Sequence, residues 1–103
     1  MSRDSGLEQL ARCRERIDIL DLRLLELLNQ RTEIVEEIGR IKQEINLGIY
    51  EPKREDQVFA NVLAHNCGPL PPEAVKRIFE RIIDEMRNIQ RLAIIERNSR
   101  EGI

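Results

Sequence analysis

A single helical pattern, which runs from Leu7 to Ile45, most constrains how this chain can fold. Apolar residues recur there every three or four positions and no proline interrupts them, so the pattern predicts one long amphipathic helix. When this segment is written in rows of seven residues, three adjacent columns form the stripe that such a helix would bury. One column is apolar throughout: Cys13, Leu20, Leu27, Ile34 and Ile41. The other two columns are interrupted by charged residues: Arg14, Asp21, Arg31 and Lys42.

These charges need a reason, because a buried unpaired charge is strongly unfavourable. One explanation is that the cations extend to solvent or pair with Asp21 and nearby glutamates. The other is a pocket of fixed donors that binds an anionic ligand. Arginines suit bidentate recognition of carboxylate or phosphate, and a lysine can aim at one developing oxyanion. Three cations together, with Gln90 on another apolar stripe, favour the second explanation.

The chain has 103 residues, which suits one small domain over residues 1–103. Leu, Ile, Arg and Glu dominate and aromatic residues make up only 3%, so the composition favours helices over a sandwich or barrel. The formal net charge of -2 gives no bulk reason to expect nucleic acid or an anionic membrane as a partner. No apolar run approaches the roughly 20 residues that cross a bilayer, and residues 1–6 lack a signal-peptide core.

Start and stop signals divide the chain into helices. Ser5 is the predicted N-cap of the first helix, and Glu8 three residues later would complete a capping box. The helical pattern stops at Asn46–Gly48. Pro52 is the predicted first residue of a second helix, with Glu51 at or just before its cap.

The second helix is predicted to end at Asn66–Pro69, and a third to run from near Pro72 to about Glu96. Residues 1–6 and 97–103 are expected to be flexible ends. The predicted fold class is therefore all-α, with three helices per chain in the order long, short, long.

Helix geometry indicates that Arg14, Arg31 and Lys42 of one chain cannot line the same pocket. Arg31 and Lys42 would be about 16 Å apart along the helix axis and about 20° apart around it, so one ligand could touch both. Arg14 would be about 25 Å from Arg31 and could not join them in a straight helix. An antiparallel second copy would supply its own Arg14 and create two equivalent sites. We therefore expect an intertwined antiparallel homodimer.

Several kinds of chemistry have no residues to support them. No serine or cysteine has an obvious base beside it, and no metal-ligand cluster or glycine-rich phosphate loop is present. Any reaction should work by positioning and electrostatics, without a cofactor or metal. Cys13 and Cys67 lack redox or metal spacing, so we expect free thiols in a reducing cytoplasm, with Cys13 as a small core residue. His65 lies at a predicted helix end, where a favourable interaction with the helix dipole explains it better than a catalytic role does.

Several segments together carry a resemblance to a known family. They are Arg14–Asp21, Leu24–Arg31, Ile38–Lys42, Ile49–Glu55, Ile78–Glu85 and Gln90. From about Leu7 to Ala93 the chain resembles the all-α class of chorismate mutases. The resemblance implies an intertwined dimer that rearranges chorismate to prephenate, the branch step toward phenylalanine and tyrosine.

The resemblance also implies roles for individual residues. Arg31, with Arg14 from the partner chain, would hold the two substrate carboxylates. Lys42 would bind a carboxylate and, together with Gln90, donate to the ether oxygen as the carbon–oxygen bond breaks.

The remaining positions lie near the second helix. Glu55 would accept from the ring hydroxyl, although a glutamate at that position could also be a solvated residue paired with a neighbouring cation. Glu51 would contribute at the mouth of the pocket, and Arg54 matches a further family arginine close to the site. Two positions depart from the family pattern: Glu51 stands for an aspartate, and Met86 stands where relatives often have a small hydroxyl residue.

Three other functions remain open. An isochorismate-pyruvate lyase resembles this fold and uses a similar basic pocket, and the residues from Glu51 to Glu55 do not separate it decisively from a mutase. A non-catalytic helical dimer could bind an aromatic acid or regulate a partner enzyme. A structural coiled-coil adaptor would tolerate apolar replacements of Arg14, Arg31 and Lys42.

Overall fold

The computed structural model describes residues 2–101, which form three helices and no strand. They are α1 (Arg3–Glu44), α2 (Pro52–His65) and α3 (Pro72–Glu101). The all-α class with three helices is therefore confirmed. The chain divides into two compact units: an N-terminal unit that ends at Glu33 and a C-terminal unit that begins at Ile34.

The N-terminal end of α1 differs from its prediction. The backbone N–H of Ser5 donates to the Ser2 side-chain oxygen at 3.1 Å, and the N–H of Gly6 donates to the Ser2 carbonyl at 3.0 Å. Ser2 is therefore the capping residue, and the prediction that Ser5 caps the helix is wrong. Ser2 can satisfy an otherwise unpaired N–H three residues later, and Asp4 in the first turn is favoured by the helix dipole.

Most apolar side chains of the N-terminal unit are exposed. No residue between 2 and 33 is buried. Leu20 is 54% exposed and Leu27 is 61% exposed, although both belong to the predicted apolar column. Cys13, which we expected in the core, is also exposed in the single chain. None of the residues from 2 to 33 covers the apolar stripe.

The C-terminal end of α1 is closed by a Schellman motif. Asn46 adopts a left-handed conformation with φ of 58°. The N–H of Leu47 donates to the Lys42 carbonyl at 2.8 Å, and the N–H of Asn46 donates to the Gln43 carbonyl at 3.3 Å. These two bonds satisfy helix-end carbonyls that would otherwise lack partners. The predicted stop at Asn46 is confirmed, and the chain turns there toward α2.

The core of the C-terminal unit lies along α3, where Val75, Ile83 and Met86 are buried. Residues of α1 that belong to this unit also contact α3, and Gln43 donates to Asn98 at 3.2 Å. Helix α2 packs on α3, and Pro52 and Pro72 begin the two helices as predicted.

Helix α3 continues past the predicted end near Glu96 to Glu101. Arg97 donates to the Ala93 carbonyl at 3.3 Å, and Arg100 forms an i,i+4 ion pair with Glu96. These contacts within the helix support the extra turn. The segments predicted to be flexible are thus helical at 3–6 and 97–101, and residues 1, 102 and 103 lie outside the described residues. Over the described part of the chain, no helix is both long and apolar enough to span a membrane.

Candidate active site

Lys42 lies at the end of α1 and is tied to the loop that leads into α2. Its side chain is 12% exposed, and Nζ donates to the Ile49 carbonyl at 3.0 Å. The Glu51 carboxylate lies 2.5 Å from the same ammonium. Glu51 is the N-cap residue of α2 but makes no capping hydrogen bond with its side chain, so its carboxylate is directed to Lys42 instead. An ammonium has three N–H donors, and these two contacts leave one for a ligand.

Gln90 is the buried polar residue of α3, with 6% of its surface exposed. Its Nε2 donates to the Val35 carbonyl of α1 at 3.1 Å. A Cβ atom placed on Gly39 would lie 3.4 Å from Gln90 Cγ, which is an ordinary van der Waals contact, so the Gln90 side chain packs beside Gly39 on α1. One N–H of the amide is used by Val35, and a second N–H remains to donate.

Lys42 and Gln90 are brought to the same part of the C-terminal unit. Gly39, which contacts Gln90, precedes Lys42 by three residues on α1, and residues with that spacing share a helix face. Two fixed donors, one cationic and one neutral, therefore lie along one face of α1. Shielding from water strengthens the interaction of such donors with a negatively charged group.

Glu55 lies in the first turn of α2 and is held by a residue that the sequence analysis did not select. Its Oε2 atom lies 3.4 Å from Nε of Arg87 on α3. Arg87 also lies over the ring of Tyr50, 5.3 Å from its centroid. The available sequence signal was the position of Arg87, which flanks the apolar stripe of α3 three residues before Gln90.

The remaining candidate residues occupy different surroundings. Arg54 is exposed on α2 and donates to Gln57 at 3.4 Å. Arg14 and Arg31 belong to the N-terminal unit, where Arg14 is exposed and Arg31 is half-buried. Met86 is 8% exposed and forms part of the core.

The arrangement has the means to bind an anion and to donate hydrogen bonds to it. Among the described residues, no group of three or more His, Cys, Asp or Glu side chains is placed to hold a metal ion. His65 is engaged with the Asn61 carbonyl through Nδ1, at 2.7 Å. Lys42 and Gln90 thus give this helical protein two shielded hydrogen-bond donors whose chemistry suits an anionic, oxygen-rich ligand.

Comparison with known proteins identifies the family. Residues 13–91 match the family model for chorismate mutase type II, which covers well over half of the chain. This chain therefore belongs to the chorismate mutase type II family.

Two solved structures and one curated protein illustrate the similarity. The structure of chorismate mutase (form II) from Thermus thermophilus has a TM-score of 0.79 at 32% identity, covering 81% of this chain and 94% of the other. Chorismate mutase from Helicobacter pylori, solved in complex with prephenate, has a TM-score of 0.80 at 32% identity, covering 86% and 97%. A bifunctional chorismate mutase/prephenate dehydratase from Aquifex aeolicus is 35% identical over 89 residues.

The match to the Aquifex aeolicus protein covers 82% of this chain and 25% of that protein. The chain thus spans about a quarter or less of the length of the bifunctional relatives that it matches.

Proposed function

We propose that this protein catalyses the rearrangement of chorismate to prephenate. The observation that carries the proposal is the pair of shielded donors, Lys42 and Gln90, in the C-terminal unit. Membership of the chorismate mutase type II family supports it, as does the similarity to the Helicobacter pylori enzyme, whose complex contains prephenate. The pathway assignment to aromatic amino acid biosynthesis follows from the same proposal.

The proposed mechanism uses only positioning and electrostatics. In a concerted [3,3] rearrangement the ether carbon–oxygen bond breaks while a new carbon–carbon bond forms, and no proton is transferred. The protein would hold the enolpyruvyl arm over the ring in a reactive geometry. Gln90 and Lys42 would donate to the ether oxygen, on which negative charge grows in the transition state.

Substrate binding would use the remaining candidates. Arg31 would bind one carboxylate, and Arg14 from a second chain would bind the other. Lys42 would also contact a carboxylate, which would compete with Glu51 for the ammonium. Glu55 would accept a hydrogen bond from the ring hydroxyl, with Glu51 and Arg54 at the edge of the pocket.

A homodimer is part of the proposal. The exposed apolar stripe of α1 in the N-terminal unit is the surface that a second copy would cover, and its residues are those of the predicted seam. Burying such side chains contributes about 25 cal/mol for each Å² removed from water. Arg14 would then serve the neighbouring site, and each dimer would have two sites. Both cysteines are free, which fits the proposed cytoplasmic location.

The activity is tested by incubating the protein with chorismate and, separately, with isochorismate, and by identifying the products chromatographically. Formation of prephenate above a protein-free blank supports the mutase. Salicylate and pyruvate from isochorismate would instead identify the lyase. Binding of either compound without turnover would favour a non-catalytic binding protein.

The shared site is tested by mixing two inactive variants, Arg14→Ala and Lys42→Ala. In a mixed dimer one site keeps both Lys42 and the partner's arginine, so random exchange should restore about one quarter of the wild-type activity. Each variant alone should stay inactive. A mixture that regains nothing, although exchange is demonstrated by mass spectrometry, contradicts the assignment of Arg14 to the neighbouring site.

A further inference from the structure

Arg87 of α3 contacts Glu55 but has no role in the function proposed above. Its Nε lies 3.4 Å from Glu55 Oε2 on α2. Its Nη2 donates to Asp84 one turn earlier on its own helix, and its guanidinium lies over the ring of Tyr50. Arg87 thereby connects α3 with α2 and with the loop that precedes α2.

The contact with Glu55 is more shielded than an ordinary surface ion pair. The side chains of Arg87 and Glu55 are 25% and 21% exposed, whereas Asp84 is 57% exposed. Water therefore competes more effectively for Asp84 than for Glu55, and exposed pairs contribute little. Asp84 is the closer partner, at 2.5 Å, but the contact with Glu55 is the one that is more shielded from water.

The contact between Arg87 and Glu55 is an ion pair without a hydrogen bond from Nε. The Arg87 Nε atom is buried and has no hydrogen-bond partner, even though a carboxylate oxygen lies 3.4 Å away. A buried N–H without an acceptor is unfavourable, and the Glu55 carboxylate is the acceptor group that lies nearest to satisfying it. The guanidinium also lies 5.3 Å from the centroid of the Tyr50 ring, which gives it a further contact on the side of the loop that precedes α2.

We propose that Arg87 is a positioning residue, which holds Glu55 so that its second carboxylate oxygen accepts the hydrogen bond from the substrate hydroxyl. The inference rests on the proposed function. A carboxylate has two oxygens, and an interaction through Oε2 leaves Oε1 available. Restricting the Glu55 side chain before substrate binds reduces the entropy that binding would otherwise lose.

A double-mutant cycle tests the inference with four proteins: wild type, Arg87→Met, Glu55→Gln and the double variant. Methionine removes the charge but keeps an extended side chain. We expect Arg87→Met to lower kcat/KM for chorismate roughly ten- to hundredfold, because a misplacement of about 1 Å in a group that contacts the substrate can cost about hundredfold. In the Glu55→Gln background the same change should lower it no more than about twofold, because Arg87 acts through Glu55.

If Arg87 had a purely structural role, the fold losses of kcat/KM in the two single variants would multiply in the double variant. That result would overturn the inference. Arg87→Lys keeps the positive charge and should recover part of the activity lost in Arg87→Met. If the methionine variant does not fold, as judged by circular dichroism, the cycle is run with Arg87→Lys and the same criterion applies. Arg91→Met is the matched control, because Arg91 is exposed on the same helix and contacts Asn88. Its kcat/KM should equal that of the wild type.

Failure of the inference and failure of the proposed function are distinguishable. A wild-type protein that converts no chorismate contradicts the proposed function before any variant is measured. A wild-type protein that is active, with an Arg87→Met variant that is equally active, contradicts the role of Arg87 alone.

Discussion

Replacing Gln90 with leucine should separate the catalytic from the structural contribution of this side chain. Gln90 is 6% exposed, and its only polar contact described above is the hydrogen bond to the Val35 carbonyl. Losing one such bond costs about 0.5–1.5 kcal/mol of stability. The Val35 carbonyl can still accept from the α1 backbone, and the apolar replacement removes the cost of burying an amide. The free energy of unfolding should therefore change by no more than about 1.5 kcal/mol.

The effect on turnover should be much larger. Removing one donor that faces a developing negative charge raises the barrier by about 2.7–4 kcal/mol. That rise corresponds to a roughly hundred- to thousandfold lower kcat. Turnover is measured at saturating chorismate, and stability by urea unfolding at one fixed protein concentration, because association would otherwise shift the midpoint.

Gln43→Leu is the matched control for Gln90→Leu. Gln43 also contacts α3, through Asn98, and its Oε1 atom is buried without a hydrogen-bond partner. The control should keep kcat within about threefold of the wild type, since surface-proximal changes outside a site rarely exceed about 0.5 kcal/mol. A Gln90→Leu protein with near-normal kcat refutes the assignment of Gln90 as a donor to the ether oxygen. A loss of stability above about 3 kcal/mol would show that the amide is mainly structural.

Three further predictions concern α1 and its ends. Lys42→Ala should lower kcat by two or more orders of magnitude, by the same loss of a donor, while circular dichroism remains unchanged because Glu51 is 39% exposed and can be hydrated; a variant with normal turnover would contradict the role of Lys42. Asn46→Gly should raise the free energy of unfolding by about 0.5–1 kcal/mol, because glycine adopts the left-handed conformation without strain; destabilisation in urea would be evidence against the Schellman motif. Ser2→Ala should lower stability by about 0.5–2 kcal/mol through loss of the cap, whereas Ser5→Ala should change it by less than about 0.5 kcal/mol; the reverse order in thermal unfolding would restore the original assignment of Ser5.

The number of helices could be predicted from the sequence because the signals are local. Pro52 and Pro72 mark helix starts, and Asn46 marks a stop, each through the backbone conformation of a single residue. The same local rules allow two solutions at the N-terminus, where Ser2 and Ser5 can both cap a helix. The choice between them depends on how far the helix extends, which a capping rule alone does not determine.

The contacts of the candidate site depend on tertiary structure and were harder to predict from the sequence. The sequence indicated that Lys42 and Gln90 interrupt apolar stripes, but it contained no sign that Gln90 would donate to the carbonyl of Val35. The ion pair of Arg87 with Glu55 joins residues 32 positions apart on two helices. Charged residues beside an apolar stripe are common, so the position of Arg87 alone did not distinguish it from a solvated arginine.

The contacts of Lys42 limit the insertions and deletions that the connection between α1 and α2 can accept. Surface connections usually tolerate insertions and deletions. Here the Lys42 carbonyl accepts from Leu47, while its ammonium binds the Ile49 carbonyl and the Glu51 carboxylate. Lys42 therefore contacts the connection at three successive residues. Adding or removing a single residue between Leu47 and Glu51 would break at least one of these three contacts. We expect an alignment of homologous sequences to show fewer gaps in this connection than between α2 and α3, since the ammonium would otherwise be left partly buried without its carboxylate.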